Sequence, residues 1–230
     1  MKFAVLVFPG SNGDIDSYRA VKTIGEQVEY VWHETTDLSD YDVIILPGGA
    51  TYGNYVRPGA LASHAAIIDG LKQAVEQGKL VIGISNGFQI LTEAGLLPGT
   101  FMPNEGLKFS CKYTSLVVEN NATAFTGDYK AAEQISLPIA HAEGNYYCDS
   151  ATLATMQANG QIVLRYAADY NPDGSLDNIA GIVNETGNVF GLMPHPERAM
   201  DELFGSEDGK RIFTSILKAW REKNGTTVNS

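Results

Sequence analysis

Cysteine is nearly absent: the 230 residues include only two, Cys111 and Cys148. Two thiols cannot build a disulfide framework or a four-cysteine zinc site. Basic residues are also scarce, with 16 Lys plus Arg against 27 Asp plus Glu and a net charge of −11. Nucleic acids and anionic membranes are recognised by basic patches, so neither is expected as the main partner, although a local phosphate site stays open. No apolar run reaches the roughly 18 residues of a membrane-spanning helix. The apolar stretch 3–8 is short and broken by Pro9-Gly10, which reads as a buried first strand rather than a targeting segment. The cytoplasm is the expected compartment. Repeats, low-complexity linkers and the G-x-x-x-x-G-K-[ST] phosphate loop are all missing.

What is present is a core-forming chain, 44% hydrophobic. Strand-like runs at 3–8, 28–32, 43–46 and 80–84 alternate with helix-like runs at 16–27, 61–77 and 86–94. Repeated strand-then-helix units imply an α/β fold with a mostly parallel open sheet covered on both faces. Sites in such sheets form beyond the C-terminal ends of the strands. Three of the four strands end in suitable sequence: Pro9-Gly10-Ser11-Asn12, Pro47-Gly48-Gly49 and Ser85-Asn86-Gly87. The second half is richer in strands, predicted at 114–118, 133–137, 162–166, 179–183 and 189–192, with a hairpin turn over 184–188. A helix is predicted near 208–222. A single domain over 1–223 and a flexible tail over 224–230 are expected.

Gly83-Ile84-Ser85-Asn86-Gly87 matches G-x-S-x-G between a strand and a helix, the setting of a nucleophile elbow. A nucleophile there stands on a strained turn, and its neighbours two residues away must be small. The Asn86 N–H then points where an oxyanion would develop. A hydroxyl nucleophile needs a base and a group to orient that base. Of the four histidines, His195 lies in Pro194-His195-Pro196-Glu197, where Pro196 biases it toward an extended conformation that points His195 and Glu197 to one side. The carboxylate can then set the imidazole tautomer. His141, with Glu143 nearby, is a rival base. His33 and His64 read as structural or surface residues. The order nucleophile, His, Glu differs from the nucleophile, acid, His order of α/β-hydrolases.

These segments, together with Phe8-Pro9-Gly10-Ser11-Asn12, Leu46-Pro47-Gly48-Gly49, Pro138-Ile139-Ala140-His141 and Gly191-Leu192-Met193-Pro194-His195-Pro196-Glu197-Arg198, run through nearly the whole chain. In them the chain resembles the class I glutamine amidotransferases, most nearly their purine-biosynthesis branch, the glutaminase subunits of phosphoribosylformylglycinamidine synthases. The resemblance implies a flavodoxin-like glutaminase domain that releases ammonia from glutamine. It implies a large synthetase partner and a small bridging subunit, with ATP and Mg²⁺ on the synthetase and no cofactor or metal on this chain. By motif, Ser85, His195 and Glu197 are catalytic. Gly49 and Asn86 donate to the oxyanion. Gln89, His141, Ala142, Glu143 and Gly144 hold glutamine. The family carries cysteine where this chain has Ser85, which implies weakened glutaminase activity. A serine hydrolase or peptidase using Ser85, His195 and Glu197, or a glutamine-binding subunit without turnover, are the alternatives.

Overall fold

The computed structural model describes residues 1–225. Five helices and eleven strands are laid down in the order β1 (Lys2–Val7), α1 (Asp14–Thr23), β2 (Gln27–Trp32), β3 (Val43–Leu46), α2 (Ile67–Glu76), β4 (Leu80–Ile84), α3 (Asn86–Glu93), β5 (Thr100–Met102), β6 (Ser110–Val118), β7 (Gln134–His141), β8 (Asn145–Tyr147), α4 (Ser150–Ala158), β9 (Ile162–Tyr166), β10 (Ile179–Val183), β11 (Val189–Leu192) and α5 (Lys210–Lys223). Nine strands form one sheet in the order β2-β1-β3-β4-β11-β10-β9-β6-β7. The pairs from β2 to β11 are parallel and those from β11 to β7 antiparallel. Only β10 and β6 therefore run against the common direction. The fold is α/β with a mixed, mostly parallel main sheet. A separate two-stranded sheet pairs β5 with β8.

Strand residues alternate between two apolar layers, as a period of two requires. Phe3, Val5, Val43, Ile45, Ile82 and Ile84 face the layer closed by Ala20 and Val21 of α1 and Ile212, Phe213 and Ile216 of α5. Ala4, Leu6, Ile44, Leu46 and Val81 face the layer closed by Ile67, Ile68 and Leu71 of α2, Ile90 and Leu91 of α3, and Met156 of α4. Coverage on both faces explains why β3, β10 and β11 are buried at every position.

The first predicted helix, 16–27, is displaced to Asp14–Thr23, because Gly25 takes φ +82° and the chain re-enters the sheet at Gln27. The predicted helix 61–77 keeps only Ile67–Glu76. Its front part is a 3₁₀ turn, Ala62–His64, after which Ala65 is extended. Gly78 ends this helix at φ +73°, as a C-terminal glycine should. Strands β6 and β7 are longer than predicted; β7 admits Pro138 because it lies at the sheet edge. Helix α4 and strands β5 and β8 were not predicted. Residues 226–230 of the expected tail lie outside the described residues. No helix among the described residues is long and apolar enough to cross a membrane.

Candidate active site

Strands β1, β3, β4 and β11 are parallel neighbours, so the loops after them meet at one end of the sheet. Ser85 follows β4 directly and precedes the first turn of α3, with φ +52° and ψ −107°. This is strained geometry for a residue bearing a side chain. It is held by the Ser85 N–H donating to Leu192 O at 2.7 Å. The flanking glycines are sterically compelled. A Cβ on Gly83 would lie 2.5 Å from Leu91 Cδ1, and one on Gly87 would lie 2.0 Å from Leu46 O. Gly87→Ala is expected to cost about 3 kcal/mol or more by overpacking against backbone that cannot retreat. At about 2–4 °C per kcal/mol, Tm should fall by roughly 6–12 °C. Gly106→Ala, with open space around it, should leave Tm unchanged; thermal unfolding monitored by circular dichroism checks both.

His195 and Glu197 are 2% and 5% exposed. The His195 Nδ1–H donates to Glu197 Oε1 at 2.6 Å. The expected extended alternation is not what brings them together. His195 sits at ψ +87° and Pro196–Arg198 is a 3₁₀ turn that folds Glu197 back under the ring. Pro196 starts that turn with a φ suited to it. His195 Nε2 has no hydrogen-bond partner among the described residues. Gly48 separates the ring from the elbow: a Cβ there would lie 2.7 Å from His195 Cε1 and 3.6 Å from Ser85 Cβ. Arg198 donates to Asp16 at 3.1 Å and stands 3.8 Å from Glu197 Oε1.

The backbone N–H groups of Gly49 and Asn86 have no acceptor among the described residues. Gly49 has φ +152°, and a Cβ on it would lie 2.7 Å from Gly10 O, so the 8–13 loop packs directly on it. The Asn86 side chain is fully engaged. Its Oδ1 accepts from Thr51 N at 3.1 Å, and its Nδ2 donates to Asn54 Oδ1 and Gln89 Oε1. Gln89 Nε2 then donates to Glu143 O at 2.6 Å. Gln89 is thus a tie between α3 and the 141–144 turn as well as a wall of the site.

Ser85, His195, Gly49 and Gln89, together with Asn12 and His141, line a cavity of about 470 Å³. Ala142, Glu143, Cys111, Phe109 and Arg198 complete much of its wall. A groove of about 760 Å³ between residues 95–98 and 184–186 is larger, but none of the elbow residues lines it. Chemistry, rather than size, selects the smaller cavity. Of the two cysteines, Cys148 is buried elsewhere while Cys111 lines the cavity from β6. Ser85 nevertheless holds the elbow.

His141 is organised differently from His195. The carboxylate facing it is Asp173, with Oδ2 3.4 Å from His141 Nε2, and not Glu143. Burial, reinforced by nearby His195, holds the His141 imidazole down to about 4. Burial pushes the carboxyls of Asp173 and Glu143 up. Asn104, Asp173 and Arg198 were not singled out in the sequence. Arg198 lies within the Pro-His-Pro-Glu-Arg segment, where its position was the available signal. Asn104 and Asp173 sit in irregular loops that carry no motif.

The chain belongs to the CobB/CobQ-like glutamine amidotransferase domain family, whose pattern matches residues 1–221. It is similar to a chain of the PurLQS structure from Thermotoga maritima, with 49% identity and a TM-score of 0.88 over 95% of this chain and 98% of that one. A glutamine amidotransferase from Thermotoga maritima is 12% identical, with a TM-score of 0.59 over 99% of this chain and 86% of that one. A further glutamine amidotransferase is 18% identical, with a TM-score of 0.62 over 94% and 97% of the two chains. These two share the fold.

Proposed function

We propose that the chain is the glutaminase subunit of a phosphoribosylformylglycinamidine synthase. In this role it hydrolyses glutamine to glutamate and ammonia, and a large synthetase subunit uses the ammonia to aminate formylglycinamide ribonucleotide in purine biosynthesis. The observation that carries the reading is the 49% identity to a chain of PurLQS, sustained over 95% of this chain. A small bridging subunit completes the assembly. ATP and Mg²⁺ belong to the synthetase, and this chain needs no cofactor.

In the proposed mechanism the Ser85 hydroxyl attacks the glutamine side-chain carbonyl while its proton passes to His195 Nε2. Glu197 accepts from Nδ1–H, which leaves Nε2 free as the base and stabilises the imidazolium that forms. The Gly49 and Asn86 N–H groups receive the oxyanion. His195 returns the proton to the leaving nitrogen, ammonia departs, and water cleaves the resulting ester to glutamate. The 141–144 turn and Gln89 shape the pocket around the amino-acid end of glutamine.

Reconstitution tests the reading. The chain carrying Ser85→Cys is added to a formylglycinamide ribonucleotide synthetase subunit, its bridging subunit, ATP and Mg²⁺. Amination that otherwise requires ammonia is expected to run on glutamine; formation of no glutamine-dependent product overturns the assignment. A serine hydrolase remains the second reading, favoured by an intact hydroxyl on the strained turn beside a buried His–Glu pair. Covalent labelling of Ser85 by a fluorophosphonate supports it, and the absence of labelling counts against it.

A further inference from the structure

The strongest cluster outside the elbow is built around His141 and Asp173, whose side chains are 4% and 0% exposed. Its protonation follows from the hydrogen-bond inventory. Asn104 Nδ2 lies 2.9 Å from Lys108 O and 3.0 Å from His141 O. Two carbonyls at one end of an amide identify that end as the NH₂ group. The other end, Oδ1, accepts from the Gly144 N–H at 2.8 Å. His141 Nδ1, 3.2 Å from that same oxygen, must therefore be a donor.

A neutral imidazole has one proton, so with Nδ1 protonated its Nε2 carries a bare lone pair. That nitrogen faces Asp173 Oδ2 at 3.4 Å and has no hydrogen-bond partner. The same oxygen accepts from Tyr166 O–H at 3.0 Å, while Oδ1 accepts from Ser175 N and Ser175 Oγ. A lone pair set against a carboxylate oxygen in a buried cluster is repulsive. A single proton between the two atoms turns that repulsion into attraction.

We propose that Asp173 is a positioning residue: one proton held between its carboxyl and His141 locks the 141–144 turn that lines the catalytic cavity. The turn is wrapped around the ring, since a Cβ on Gly144 would lie 2.2 Å from His141 Cε1. The Ser175 hydroxyl sits between Asp173 Oδ1 at 2.6 Å and Gly144 O at 3.1 Å, its one proton serving one of them at a time, and Gln89 ties Glu143 O from the other side. Burial, which raises Asp173 and lowers His141, favours placing the proton on the carboxyl. The titratable neighbours are Tyr166 from β9, Glu105 beside Gly174, and Cys111, Glu143, His195 and Arg198 around the cavity. The role in substrate binding rests on the glutamine reading above; the shared proton does not.

Two measurements test the proposal: the ¹⁵N signals of the His141 imidazole, and glutamine affinity by calorimetry. They are made on the full chain and on Asp173→Asn and Asp173→Ala, with Tm as a fold control. In the parent, Nε2 is expected to show a hydrogen-bonded signal near neutral pH. The parent is expected to lose glutamine affinity on the alkaline side as the shared proton leaves. Asp173→Asn, whose amide N–H can replace the proton, should keep the hydrogen-bonded signal, keep glutamine affinity and show no such alkaline loss. Asp173→Ala should move Nε2 to the bare lone-pair position and weaken glutamine about tenfold or more, the effect of one unsatisfied buried group. A bare Nε2 in the parent overturns the shared proton, even if Asp173→Ala does not fold. Equal glutamine affinity in the parent and Asp173→Ala, or equal loss in Asp173→Asn and Asp173→Ala, overturns the positioning role. A parent that binds no glutamine overturns the glutamine reading instead, and with it the positioning role, while the imidazole signals still decide the proton.

Discussion

Ser85→Cys is expected to raise ammonia release from glutamine by roughly a thousandfold, a barrier change of about 4 kcal/mol. The argument is one of acidity. A thiol ionises near 8.5, and a neighbouring imidazolium can bring it far lower, so a resting thiolate–imidazolium pair is within reach. A hydroxyl is much less acidic and must lose its proton during the attack itself. The geometry around position 85 suits either nucleophile. The elbow holds position 85 at φ +52°, Glu197 fixes His195 through Nδ1, and the N–H groups of Gly49 and Asn86 are unengaged among the described residues. The substitution exchanges one atom at a position only 5% exposed, so Tm should barely change. Ammonia measured with the partner subunits present checks the prediction. A rate no higher than that of the Ser85 protein would show that the hydroxyl is not what limits the reaction.

The elbow was legible because its requirement is steric and local. Gly83 and Gly87 are glycine since a Cβ on either meets backbone or a packed leucine, and five consecutive residues record that fact. The parallel half of the sheet was legible for a similar reason, as β3 and β4 are apolar runs between turn residues. The His195–Glu197 contact was anticipated through the wrong geometry. Spacing of two suits an extended strand, yet a 3₁₀ turn after proline makes the same contact. Helix α4 escaped notice because only Met156 on it is buried, leaving no apolar stripe. Its start was marked only by Asp149, whose side chain accepts from Thr152 N. The His141–Asp173–Asn104 cluster was not legible at all. Its members come from three loops or strand ends that meet only in the folded chain, and each is an unremarkable polar residue in its own segment. His141 was noticed, but the adjacent Glu143 drew attention away from its real neighbour, Asp173.

Substituting His195 in the Ser85→Cys protein should produce the other large effect, and two variants separate chemistry from folding. His195→Asn keeps an amide N–H that can reach Glu197 Oε1 in place of Nδ1–H, but it provides no base. Ammonia release should fall by roughly 10²–10⁴-fold, the usual share of a positioned general base, with Tm nearly preserved. His195→Ala should lose a comparable factor in rate and also lose stability. It leaves Glu197, 5% exposed, without the donor 2.6 Å away. Leaving a buried polar group without its donor costs about 1–3 kcal/mol, and more for a charged one such as a carboxylate. Arg198 stands 3.8 Å from the same carboxylate oxygen and offsets part of that loss, so a cost nearer 2–3 kcal/mol is expected. At about 2–4 °C per kcal/mol, Tm should drop by roughly 4–12 °C. Ammonia assays and thermal unfolding of both variants give four numbers. If His195→Asn retains the rate, the base lies elsewhere, and among the described residues His141 is the other histidine lining the cavity. If His195→Ala is as stable as His195→Asn, the Glu197 contact orients the ring without supporting the fold.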